Sequence, residues 1–158
     1  MVEIYGLNRK LDTARIFHFY YLKQKNLLGG KRMYKILAVD DDITTLGLLE
    51  FLLKRHNYDI ITCSNGSEGI KAAQQLKPKV IILDVMMPGM DGIEVCKKLR
   101  ALSETANIPI LFLSALGQDI EVMRGLMAGS DGYIVKPFEP EDLLSQIKKL
   151  IERNSNGK

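Results

Sequence analysis

Acidic, hydroxyl and ammonium groups stand in this sequence at the ends of four short apolar runs. Asp40, Asp41 and Asp42 follow YKILAV, Asp84 follows KVIIL, Ser114 follows IPILFL, and Lys136 follows GYIV. In an open α/β sheet, sites form outside the carboxyl ends of the strands, so runs of this kind would bring these groups to one edge. Carboxylates so close raise one another's pKa unless a cation sits among them. Oxygen-only ligands with room for water suit Mg²⁺ better than Zn²⁺. A lysine and a metal ion together cradle the three equatorial oxygens of a phosphoryl group. A carboxylate is a competent acceptor in such a cradle, giving an acyl phosphate, and the Ser114 hydroxyl can donate to a phosphoryl oxygen.

The elements that would position these groups are legible in the hydropathy pattern. Tyr34–Val39, Asp59–Cys63, Lys79–Leu83, Ile108–Leu113 and Gly132–Val135 read as strands rich in Val and Ile. Three of them are apolar on both faces, as in a buried parallel sheet. Between them run helical patterns: Leu46, Leu49, Leu52 and Leu53 in the first, and Ile93, Cys96 and Leu99, with Arg100 at the solvent edge, in the third. Leu143, Leu144, Ile147, Leu150 and Ile151 form the stripe of the last. Asp42 or Thr44 caps the first helix and Ser67 opens the second. Five strands alternating with five helices predict a doubly wound parallel α/β sheet.

ILAVDDD (Ile36–Asp42), ILDVMMPGMDG (Ile82–Gly92), FLSA (Phe112–Ala115) and GYIVKPF (Gly132–Phe138) stand in order along the chain. Together they resemble the signature of receiver domains of bacterial two-component response regulators, with the resemblance running from Met33 to about Ile151. It implies a flavodoxin-like (βα)5 fold with strand order 2-1-3-4-5. It further implies that Asp84 is the phosphoacceptor and that Asp40, Asp41, Asp84 and the backbone carbonyl of Met86 hold Mg²⁺. Lys136 would contact the phosphoryl group, across a cis bond to Pro137. Ser114 and Tyr133 would form a switch that reshapes the face of the fourth helix, fifth strand and fifth helix, about Asp119–Lys149. The donor would be a histidine kinase or a histidine phosphotransfer protein, and the output a contact with a downstream protein. Such a chain is not a turnover enzyme. In receivers the second residue after the acceptor and the second after the hydroxyl influence how water reaches the acyl phosphate. Here these are Met86 and Leu116, both apolar, which predicts slow self-dephosphorylation.

Two other functions compete with a stand-alone switch. Hydrolases resembling the haloacid dehalogenase superfamily also use an aspartyl phosphate, but need a second acid two residues on, where this chain has Met86. A receiver from a multidomain DNA-binding regulator would carry the same motifs. So would a phosphorelay intermediate that passes its phosphoryl group onward. The sequence reads as stopping after its fifth helix with no helix-turn-helix, so output is expected through another protein rather than through nucleic acid directly.

Composition sets the remaining bounds. No apolar run approaches the roughly 20 residues of a membrane helix, and Met1–Arg32 lacks a signal peptide's apolar core, so the expected location is the cytoplasm. The net charge of +3 is unevenly distributed. Residues 1–32 hold seven basic and two acidic residues; the other 15 basic and 17 acidic residues leave residues 33–158 at −2, with no electrostatic footprint for nucleic acid. Residues 1–32 form an N-terminal extension that the five-fold alternation does not need, residues 33–153 the receiver domain, and residues 154–158 a polar tail. Gly29-Gly30-Lys31-Arg32 can be encoded by a purine-rich run resembling a ribosome-binding site, which would make Met33 the true start. The competing reading is an amphipathic helix built around IFHFYYL (Ile16–Leu22). Cys63 and Cys96 have no ligand spacing and read as small hydrophobes, His18 and His56 have no metal partners, and Asp131 reads as a solvated turn residue.

Overall fold

The computed structural model describes residues 33–115 and 129–156. Residues 1–32, which carry the aromatic run and His18, lie outside the described residues. So do residues 116–128, with Leu116, Asp119 and the expected fourth helix, and residues 157–158. The chain divides into two units at the junction of Arg32 and Met33.

Five strands, β1 (Lys35–Val39), β2 (Asp59–Cys63), β3 (Val80–Leu83), β4 (Ile110–Ser114) and β5 (Gly132–Val135), form one parallel sheet in the order β2-β1-β3-β4-β5. The described helices are α1 (Ile43–Arg55), α2 (Gly66–Leu76), α3 (Gly92–Ala101) and a C-terminal helix (Pro140–Asn156). Successive side chains of a strand point to opposite faces, and the buried residues sort accordingly. Leu37, Val39, Ile81, Leu83, Ile110 and Phe112 pack on one face with Ala73 of α2 and Val95, Cys96 and Leu99 of α3. Ile36, Ala38, Val80, Ile82, Leu111 and Leu113 pack on the other with α1 and the C-terminal helix. The central strands thus need apolar residues at every position, the reason their runs are unbroken.

Several boundaries differ from the sequence reading, each for a local reason. The fourth strand begins at Ile110 because Pro109 has no N–H for a ladder; its carbonyl still accepts from Ile81 N at 2.9 Å. α2 starts at Gly66 rather than with Ser67, since the Asn65 side chain caps it by accepting from Glu68 N at 2.9 Å. Asp42 is the cap of α1, accepting from Thr44 N and Thr45 N. The last helix runs beyond residue 153 to Asn156, so residues 154–156 of the expected tail are helical. There Arg153 bonds to Asp131, and the Ser155 hydroxyl donates back to Ile151 O.

Candidate functional site

Register places the chemistry. Val39 of β1 pairs with Leu83 of β3, so the next residues, Asp40 and Asp84, leave adjacent strands at the same level. Asp84 N donates to Val39 O at 2.9 Å and holds the two strand ends together. Ser114 is the last residue of β4 and pairs with Val135, so Lys136 emerges one step beyond it; Lys136 N donates to Ser114 O at 2.8 Å. Four strand ends therefore converge on one edge of the sheet.

The side chains meet as their positions require. One carboxylate oxygen from each of Asp40, Asp41 and Asp84 lies within 4.8 Å of the others. Asp40 and Asp84 are buried and Asp41 is exposed. Lys136 Nζ donates to Asp40 Oδ2 at 2.6 Å and stands 3.7 Å from Asp84 Oδ1. Asp40 Oδ1 accepts from Asp42 N at 2.9 Å, so this carboxylate is held at both oxygens. Burial raises the pKa of Asp84 above its ordinary value of 3.8, and the charge of Asp40 adds to the rise. Lys136 and the backbone N–H groups of Met86 and Val85 oppose it without cancelling it. Three carboxylates facing one ammonium leave excess negative charge, and an all-oxygen donor set at this spacing fits a hard divalent cation.

The loop after Asp84 is shaped by a close approach. A Cβ on Gly92 would stand 2.0 Å from Asp84 O and 2.8 Å from Val85 Cα, so only glycine lets α3 begin there. Gly92 N donates to Val85 O at 2.9 Å, and the Asp91 side chain caps α3 at Glu94 N. Within this loop Met87 is buried while Met86 is exposed. Ser114 is fully buried and hydrogen-bonded to the Tyr133 hydroxyl. Burial raises the Tyr133 pKa, the Ser114 bond opposes that, and the charge of Asp84 adds to it. Tyr133 pairs with Phe112 across the sheet and packs against the core. The Lys136–Pro137 bond is cis. Of the residues singled out in the sequence, Asp40, Asp41, Asp84 and Lys136 form one cluster, and Ser114 and Tyr133 form a bonded pair at the neighbouring strand ends. A recess of about 380 Å³ on the outer side of β5, lined by Tyr133, Val135, Phe138, Gln146 and Lys149 among others, includes none of the three carboxylates.

One reading needs correcting. Asp131 is no solvated turn residue: Oδ2 accepts from Arg100 Nη2 at 2.8 Å and Ile110 N at 2.9 Å, and Oδ1 accepts from Arg153 at 2.5 Å. Arg100 is correspondingly drawn in from the solvent edge, its Nε and Nη1 donating to the carbonyls of Gly129, Ala106 and Ile108. No local signal could have revealed this, because the partners lie up to 31 residues apart.

Comparison with known proteins agrees with this geometry. Residues 36–148 match the family model described as the response regulator receiver domain. The alkaline phosphatase synthesis transcriptional regulatory protein PhoP of Bacillus subtilis is 43% identical over 120 residues, 76% of this chain and 49% of PhoP. The DNA-binding response regulator MtrA of Mycobacterium tuberculosis is 37% identical over 122 residues, 77% of this chain and 52% of MtrA. The chain thus spans about half the length of the curated relatives it matches. Among solved structures, the chemotaxis protein CheY4 of Vibrio cholerae superposes with a TM-score of 0.70 at 36% identity, covering 75% of this chain and 99% of that one.

Proposed function

The chain belongs to the response regulator receiver domain family, and from that premise we propose that it is a signalling switch operated by phosphorylation of Asp84. The observation that carries this reading is the placement of Asp84. Its carboxylate is buried, raised in pKa by that burial and by the charge of Asp40, and 3.7 Å from the Lys136 ammonium at a cluster that fits a divalent cation. In the reaction an Asp84 carboxylate oxygen attacks the phosphorus of a phosphohistidine on a histidine kinase or phosphotransfer protein. The P–N bond breaks, the imidazole leaves with its electron pair, and an acyl phosphate remains. Asp40, Asp41 and Asp84, with the Met86 carbonyl, would hold Mg²⁺, which when bound offsets the negative charge gathered on the carboxylates and the phosphoryl oxygens. Lys136, now shared between Asp40 and Asp84, turns toward the new phosphoryl oxygens. Ser114 sits where its hydroxyl can exchange the bond to Tyr133 for one to the phosphoryl group. That exchange couples local charge to Tyr133 on β5, and through β5 to a face open to a downstream protein.

The phosphoryl group is consumed stoichiometrically rather than turned over, and Met86, two residues after Asp84, offers attacking water no more than a weak thioether acceptor. We read the location as cytoplasmic; no helix among the described residues is long and apolar enough to cross a membrane. The decisive experiment is incubation with acetyl phosphate and Mg²⁺, followed by intact mass. Wild type is expected to gain one phosphoryl group that decays slowly, and Asp84→Ala none. Failure with both acetyl phosphate and a kinase would overturn the reading. A second reading, a receiver from a longer DNA-binding regulator, is favoured by one observation: the chain covers about half of PhoP and MtrA, described as transcriptional and DNA-binding regulators. The length of the reading frame at the locus decides between them.

A further inference from the structure

The loop beside Asp84 holds three methionines in very different surroundings. Met87 is 7% exposed and belongs to the core under α2 and α3, whereas Met86 is 60% exposed. Met90 packs against that same core, its sulfur 3.2 Å from where a Cβ on Gly66 would stand. The backbone between them is anchored by Gly92 N donating to Val85 O and by the close seat of Gly92 on Asp84 O. Met86 stands two residues after Asp84 and follows directly on Val85. One thioether is therefore held open to solvent at the mouth of the site while its neighbours are shielded.

We propose that Met86 is a site of reversible oxidation by hydroperoxides, and that its sulfoxide shortens the life of the phosphoryl group on Asp84. The proposal rests on the phosphoacceptor role of Asp84 argued above. In the oxidation the Met86 sulfur donates a lone pair to one peroxide oxygen. The O–O bond breaks, an S–O bond forms, and the departing oxygen leaves as water or an alcohol after taking up the proton. The thioether loses two electrons and the peroxide gains them. A thioether is a weak acceptor, whereas a sulfoxide oxygen is polar and a strong one. Placed beside Asp84, that oxygen accepts a hydrogen bond from water approaching the phosphorus and orients it for attack. The P–O bond to Asp84 then breaks, releasing inorganic phosphate and the free carboxylate. The anchored loop fixes the backbone from which the oxidised side chain extends, two residues from Asp84.

The test uses the full chain, phosphorylated with acetyl phosphate and Mg²⁺, with the half-life of the phosphoryl group read by intact mass before and after mild hydrogen peroxide. Peptide mapping should place an added oxygen on Met86 ahead of Met33, Met87 and Met90, and the half-life should fall by about threefold or more, as expected for a newly positioned polar group. Methionine sulfoxide reductase should restore it. Met86→Gln, which carries a comparable polar oxygen, should show the short half-life without peroxide, and Met86→Leu should give the same half-life with and without peroxide. Oxidation that spares Met86, a half-life unmoved once Met86 is oxidised, or an equal response in Met86→Leu overturns the proposal. Absence of any phosphoryl gain before peroxide, with acetyl phosphate and with a kinase alike, overturns the functional reading, and this inference with it.

Discussion

At Asp84 two demands of opposite sign meet. The acceptor role proposed for Asp84 requires an ionised carboxylate, yet burial and the charge of Asp40 hold this carboxyl above its ordinary 3.8 despite Lys136. A carboxyl whose folded pKa is raised binds its proton more tightly in the native state than in the unfolded chain. Its ionisation therefore costs stability in full above the folded pKa, and the cost disappears as pH falls below the ordinary carboxylate range. Asp84→Asn removes that cost. In the absence of divalent ions the variant should unfold at a higher urea midpoint than wild type at pH 7, and the difference should close by about pH 3.5. Equal midpoints at pH 7 would mean that Lys136 compensates Asp84 more fully than its 3.7 Å separation indicates.

Between elements, the Asp131 cluster does what no strand or helix does alone. Arg100 near the end of α3 reaches the carbonyls of Ala106 and Ile108 before β4 and of Gly129 before β5, while Asp131 takes the first N–H of β4. Arg153 adds the C-terminal helix from the solvent side. The two cations differ in surroundings: Arg100 is mostly covered and Arg153 is 62% exposed. A half-buried charged hydrogen-bond acceptor with three donors is costly to remove, whereas an exposed ion pair contributes little. Asp131→Ala is thus expected to lose about 2–4 kcal/mol in denaturant unfolding, and Arg153→Gln less than about 1 kcal/mol. Comparable losses in the two variants would refute this division of roles. The site lies at the opposite ends of the same strands, so the cluster supports it only by fixing where β4 and β5 begin.

On the scale of the whole molecule, the surface around the acidic edge is uneven. Ile43, Leu48 and Phe51 line the outer side of α1 and are 78%, 52% and 61% exposed, with the Arg55 guanidinium over the Phe51 ring. Ile43 directly follows the Asp42 cap, so this apolar row begins beside the carboxylates and runs down the helix. Under the proposed function, a protein that brings a phosphohistidine to Asp84 approaches beside this end of α1. Substituting Ile43→Glu or Phe51→Glu should slow transfer from a phosphotransfer protein by about tenfold or more, the range of an interface anchor. Labelling by acetyl phosphate, a donor too small to touch the row, should persist. Loss of both would place the effect on folding instead.

How much of this was readable beforehand follows from the range of the interactions involved. Unbroken apolar runs at Ile36–Val39, Val80–Leu83 and Ile110–Leu113 determine buried parallel strands, because a strand covered on both faces needs apolar residues at every position. With the strands known, the residues one step beyond them, Asp40, Asp84 and Lys136, become the candidate site, since position along a strand is local information. The cap at Asp42 is equally local. What only the tertiary structure decided was set by contacts across the sheet. These are the register that levels Asp40 with Asp84, the bond from Lys136 to Asp40 across 96 residues, the seat of Gly92 on Asp84 O, and the exposure of Met86 beside a buried Met87. Asp131 shows the limit most plainly, for Gly129-Ser130-Asp131-Gly132 has the composition of a solvated turn, and only folding brings Arg100 and Arg153 to it. Local sequence determines what a residue can do; packing decides which distant group it does it with.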